Sequence, residues 1–166
     1  MFRLLQHLKF LLTATNQHGV HSPFIFSYIT KCVYVKPGYP YSKSVDVLLK
    51  SIAYFEPKKV CLIDNRQLEK TVRRHFPKIE LSEGGSEVSF FSEYSQELLD
   101  TLLSEEKNIQ NDCLLLLDDI YSSKEKNRIW NSTKKHRKVS VTVDMFYCGA
   151  VFFRQEQAKE HFKIRI

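Results

Sequence analysis

Residues 113–121 read C-L-L-L-L-D-D-I-Y, and this stretch decides the fold. Five apolar residues run without a break and stop at two carboxylates. A half-buried strand alternates apolar and polar side chains, so a short unbroken run describes a strand covered on both faces, as in a parallel sheet. Carboxylates at its carboxyl end fall where open α/β sheets bind their ligands. Two stretches upstream have the same character: V-C-L-I at 60–63, followed by Asp64, and V-S-F-F at 88–91. Helical patterns separate them. Residues 68–76 stop at Pro77, and residues 95–107 turn Leu98, Leu99, Leu102 and Leu103 to one side. Strands alternating with helices imply right-handed crossovers and an α/β layer.

Downstream the pattern changes. Val139, Val141, Val143 and Met145 alternate with Ser140, Thr142, Asp144 and Phe146, and a tight connection at Tyr147-Cys148 leads into residues 149–153. This predicts a terminal antiparallel hairpin, with residues 162–166 adding to an edge. Residues 78–81 are expected to form a short strand before the Gly84-Gly85 turn. Upstream, Ser44 is expected to cap a helix with Val45, Leu48, Leu49 and Ile52 inward, ended by Pro57. Ser22-Pro23 starts another helix with Ile25, Ile29, Cys32 and Val33 buried. Residues 36–40 (K-P-G-Y-P) form the clearest linker. The first fifteen residues place Leu4, Leu5, Leu8, Leu11 and Leu12 on one face of an amphipathic helix. The expected fold is therefore α/β and Rossmann-like, with a mostly parallel sheet, a C-terminal antiparallel hairpin and an N-terminal helical segment. It is one domain over 1–166, with a helical extension at 1–35 and the core at 44–166.

The 166 residues are 43% hydrophobic and 27% charged, which suits a folded domain and argues against wholesale disorder. Cys32, Cys61, Cys113 and Cys148 are far apart and mostly inside apolar runs, so they read as reduced core thiols. No apolar run approaches the roughly 20 residues of a membrane span. A cytoplasmic protein without a membrane partner is expected. Residues 124–138 carry seven Lys or Arg against one Glu, a local charge of +6. Such a stripe could touch nucleic acid, an anionic membrane or an acidic partner, but a solvated helix face is expected, over 123–136 with Ile129 inward, Trp130 at the rim of the core and the lysines in water. Aromatic residues are not interleaved with these charges, so nucleic acid is not the expected partner.

Two stretches resemble a known family. Residues 18–26 read H-G-V-H-S-P-F-I-F. Residues 118–124 read D-D-I-Y-S-S-K, and Trp130, V-T-V-D-M-F-Y-C-G-A-V-F-F-R and K-E-H-F-K-I-R-I follow. Together they resemble a bacterial family of class I S-adenosylmethionine-dependent methyltransferases with an extra helical N-terminal segment. The resemblance covers the first 35 residues and the last 55. It implies a Rossmann-like sheet with a final antiparallel strand, S-adenosylmethionine as cofactor, and methyl transfer to a small acceptor.

The middle departs from the family. Such enzymes carry an E-x-G-x-x-x-G loop after the first strand, whose glycines let the backbone approach the cofactor. Here no glycine occurs between Gly38 and Gly84. Residues 60–63 match either the first strand, with Asp64 replacing the first glycine, or the second, with Asp64 gripping the ribose hydroxyls. Asp64 is thus the candidate cofactor-binding residue. Asp118 and Asp119 are the candidate catalytic residues, at the place where related metal-dependent O-methyltransferases hold an Asp-Asn pair. Ser92 stands where family members tend to place Asp. With no third carboxylate, no metal is expected. His18 and His21 could position a substrate or brace the helix that follows. Two functions follow from these residues. One is a methyltransferase-family protein, its acceptor unknown and its cofactor bound weakly or not at all. The other is a non-catalytic relative that binds a small molecule or a protein partner.

Overall fold

Seven strands form one sheet in the order β2-β1-β3-β4-β6-β5-β7. The computed structural model describes residues 1–63, 65–106 and 109–166. The strands are β1 (Lys59–Ile63), β2 (Glu80–Leu81), β3 (Val88–Phe91), β4 (Leu114–Asp118), β5 (Val141–Asp144), β6 (Cys148–Phe152) and β7 (Glu160–Lys163). The helices are α1 (Phe2–Thr13), α2 (Pro23–Tyr28), α3 (Lys43–Phe55), α4 (Arg66–His75), α5 (Gln96–Ser104) and α6 (Lys124–Lys135). β2, β1, β3 and β4 run parallel, and β6 is antiparallel to both β4 and β5. This is a Rossmann-like α/β sheet. The hairpin expected from the alternating C-terminal pattern is present, but its second strand lies between β4 and β5. Beyond it, β7 joins β5 in parallel.

Alternation along each strand divides the core in two. Val60, Phe90, Leu114 and Leu116 face α2, α3 and α4, and Cys61, Phe91, Leu115 and Leu117 face α1, α5 and α6. All four cysteines are free and buried. Several helices start on side-chain caps that satisfy orphan amides: Ser22, Asn65, Ser95 and Ser123 each accept from the backbone three residues on. Ser42, not Ser44, caps α3; Ser44 lies inside its first turn and is buried. The segment after Pro23 is helical only to Tyr28 and continues as a wider π turn over Ile29–Val33.

Two expectations need correction, and β5 has a feature of its own: the polar residues of its alternation, Thr142 and Asp144, are buried. Each has a partner that makes burial tolerable: His161 Nδ1 lies 2.8 Å from the Thr142 hydroxyl, and Tyr121 donates to Asp144 at 2.5 Å. Trp130 is fully buried, not at the rim, because Gly149 on β6 leaves room for its ring. A Cβ on Gly149 would lie 2.5 Å from Trp130 Cζ3. Lys126 is not in water but folds inward, donating to the Ser92 carbonyl at 2.7 Å.

The β2 edge shapes the ligand end of the sheet. Leu81 of β2 and Val88 of β3 both pair with Val60 of β1, so β2 stops at the height where β3 starts. The chain needs only to move sideways by two strand spacings, about 10 Å, so the short run 82–87 suffices. Gly85 there has φ +65, a left-handed conformation suited to glycine. The Glu87 carboxylate accepts from the Lys59 amide at 2.9 Å and ties this run to the start of β1. No helix is present in this run to cover β1.

Candidate active-site edge

In an open α/β sheet the ligand crevice lies outside the carboxyl ends of the strands, where the strand order reverses. Here the chain leaves β1 outward to β2 and returns on the other side to β3. The switch point is therefore at the ends of β1 and β3, in either register considered for residues 60–63. β1 ends at Ile63 and α4 begins at Arg66. Only residues 64 and 65 connect them. Asp64 lies outside the described residues. Asn65 does two jobs: its Oδ1 accepts from the Leu68 amide at 2.9 Å, capping α4, and its Nδ2 donates to Ser92 Oγ at 3.1 Å. The second bond spans the crevice between the two strand ends. Lys126 closes over the same place through the Ser92 carbonyl and pairs with Glu93 at 3.3 Å.

Asp118 and Asp119 sit together at the end of β4, and their surroundings set them apart. Burial pushes the Asp118 carboxyl above the usual range, and the neighbouring Asp119 adds to this; the Ser44 hydroxyl and Lys126 pull it down. Tyr94 donates to the Asp118 carbonyl at 3.1 Å, and burial and the surrounding carboxylates push its phenol upward. Asp119 has a positive φ of 48. Arg3 of α1 approaches its two carboxylate oxygens at 3.0 Å each. The second carboxylate is thus already paired with a guanidinium from the N-terminal helix.

Beside this pair the β5–β6 turn raises Phe146, with φ +67, into an aromatic cluster. Tyr121 stacks on it at 5.1 Å, His7 lies at 4.4 Å and Phe10 at 5.5 Å. Asp144 lies below, its carboxyl raised by burial although Tyr121 and the Phe146 amide hydrogen-bond it. Helix α1 therefore covers the β4–β6 part of the ligand edge.

His18 and His21 make no hydrogen bond to Asp118 or Asp119 among the described residues. Both are exposed. His18 lies in a short turn capped by Asn16, and the H-G-V-H-S-P stretch buries Val20 and Ser22. Gly19 fits because a Cβ there would lie 2.7 Å from Thr15 Oγ1. Among the described residues, no three His, Cys, Asp or Glu gather to hold a metal ion.

A cleft of about 800 Å³ opens between the carboxyl ends of β1 and β2 and helix α4. Ile63, Arg66, Glu69, Arg73, Leu81 and Glu83 line it. Glu83 is the residue here that sequence reading missed: an acid just past β2, before Gly84-Gly85, has the spacing of a strand-end ligand. Arg3 and Lys126 had no local signal, since their partners lie far off in sequence.

No family model matches the chain. No curated protein matches it. Among solved structures, it is similar to the SAH-bound methyltransferase of Podospora anserina, with a TM-score of 0.48, 7% identity, and coverage of 70% of this chain and 80% of that one.

Proposed function

We propose that this chain is a relative of the S-adenosylmethionine-dependent methyltransferases that keeps their sheet but acts as a binding module rather than as an efficient transferase. One observation carries the reading: the crevice at the switch point is spanned by the Asn65–Ser92 hydrogen bond. The short β1–α4 link contains no glycine, so a cofactor's amino-acid end has no backbone cradle there. The residues present do not fit S-adenosylmethionine in the way the family resemblance implies. The resemblance of both chain ends and the antiparallel β6 support descent from that family.

The catalytic roles of Asp118 and Asp119 belong to the alternative, an active enzyme. In it Asp118, with its raised carboxyl, would take the acceptor's proton, and Asp119 would have to leave Arg3. Asp64 or Glu83 would hold the ribose hydroxyls, Glu83 from the cleft beside β1. The two readings separate in one assay. Purified protein is incubated with S-adenosylmethionine and the small-molecule fraction of a cell extract, and S-adenosylhomocysteine is quantified by mass spectrometry. No product above an Asp118→Asn control is expected; product that disappears in that control would establish the enzyme.

A further inference from the structure

Helix α1 packs on the ligand edge with its more polar side. Arg3, His7 and Phe10 make the contacts to Asp119 and Phe146. The opposite side carries Met1, Leu4, Leu5, Leu8, Leu11 and Leu12, all exposed, with Leu4 at 63% and Leu12 at 86%. At 3.6 residues per turn these six fall within an arc of about 120°. The helix is amphipathic, as its sequence says, but inverted: its apolar face is in solvent. Exposed apolar side chains are normally scattered singly, and a continuous stripe marks a contact surface.

The charges around the stripe say what it contacts. Residues 1–45 contain no Asp or Glu, and Lys9, exposed, borders the leucines. Phe2, at the start of α1, shares a shallow groove with Lys124, Arg128 and Lys135 of α6. All three cations are exposed, and Arg128 also pairs with Glu125 at 2.8 Å. Lys124, Arg128 and Lys135 of the basic stretch therefore lie beside the leucine stripe. A second copy of the chain docking here would bring two strongly cationic surfaces together. A bilayer with anionic headgroups satisfies both features, since leucines enter the headgroup–acyl boundary while lysines and arginines meet phosphates.

We propose that α1, flanked by the basic face of α6, docks the protein on an anionic lipid bilayer, with the helix lying in the plane of the surface. The basic stretch alone read as a solvated helix face with an anionic membrane as one alternative, and among the described residues no helix is long and apolar enough to cross a membrane. A surface helix needs no such length. The inference does not depend on the methyltransferase reading.

The test is vesicle flotation of the full chain, with phosphatidylcholine alone and with phosphatidylglycerol added. Flotation only with the anionic vesicles, weakened by high salt, is expected. The double variant Leu8→Glu/Leu12→Glu, at solvent-facing positions, should keep the circular dichroism and melting temperature and lower binding at least about tenfold. Lys124→Glu/Arg128→Glu should bind more weakly and lose the salt dependence. Failure to float with either vesicle, flotation unchanged by the leucine variant, or equal binding to neutral vesicles would each overturn the proposal. So would a dimer in analytical ultracentrifugation that the leucine variant dissolves, which would assign the stripe to a second copy.

Discussion

In β4 and β6, residues 114–117 and 148–152 are all buried, whereas β2 at the other end of the sheet is two residues long, with Glu80 exposed and Leu81 half-buried. The β4–β6 side is covered on both faces and holds Trp130 against Gly149. The β1–β2 side borders a cleft at its strand ends. The family resemblance divides along the same line: it is specific over the two chain ends, which build the covered side, and fails in the middle, which builds the open one. Burial on both faces fixes the covered side, while the edge at β2 has fewer packing contacts to lose.

The contrast between the two sides can be broken by matched substitutions. Leu116 is fully buried in β4. Leu116→Ala should cost about 3 kcal/mol in urea unfolding, against about 1 kcal/mol for Leu81→Ala. Equal losses would mean that the β2 edge is as tightly packed as the centre.

Two glycines sharpen the same point. Gly149→Ala drives a Cβ into the Trp130 ring, and the strain of overpacking should remove about 2 kcal/mol and lower the melting temperature by roughly 4–8 °C. Around Gly85 no atom stands within 4 Å of an added Cβ, but its φ is +65. Gly85→Ala should cost only the left-handed backbone penalty, about 1 kcal/mol.

The smallest effect concerns pH. Burial raises the Asp144 carboxyl above its ordinary value of 3.8. Above that value the folded state binds more protons than the unfolded state, so this group's effect on stability becomes more favourable as the pH falls. Compared with Asp144→Asn, the wild type should gain relative stability as the pH falls from the raised folded-state value towards the unfolded value, and the gain should level off below the unfolded value. A difference that stays constant with pH, measured by urea unfolding across that range, would show that Asp144 is not held this way.

Most of the scaffold was legible in the sequence. The unbroken runs at 60–63, 88–91 and 113–117 encode burial on both faces, and the spacing of leucines and of capping residues encodes the helices. What escaped is long-range. Thr142 and Asp144 look like surface residues until Tyr121 and His161 fold against them. The leucines of α1 look like a core face, and nothing local says that Arg3 will instead hold Asp119 and turn them outward. At the site, the absence of any glycine between Gly38 and Gly84 was plain from the sequence alone, and so was the Asp118-Asp119 pair. The Asn65–Ser92 bridge and the cleft at Glu83 depend on β1, β2 and β3 being neighbours, which no short window of sequence contains.

Calorimetric titration of the full chain with S-adenosylmethionine and S-adenosylhomocysteine decides between a retained scaffold and a working cofactor site. Each charge-assisted hydrogen bond missing from the amino-acid end is worth roughly 1.5–3 kcal/mol, so two or three losses weaken binding by about a hundredfold or more. No saturable heat in the micromolar range is expected from a well-folded, cooperatively unfolding protein. A micromolar dissociation constant, abolished by Asp64→Ala or Glu83→Ala, would contradict this and restore a functional cofactor site beside β1.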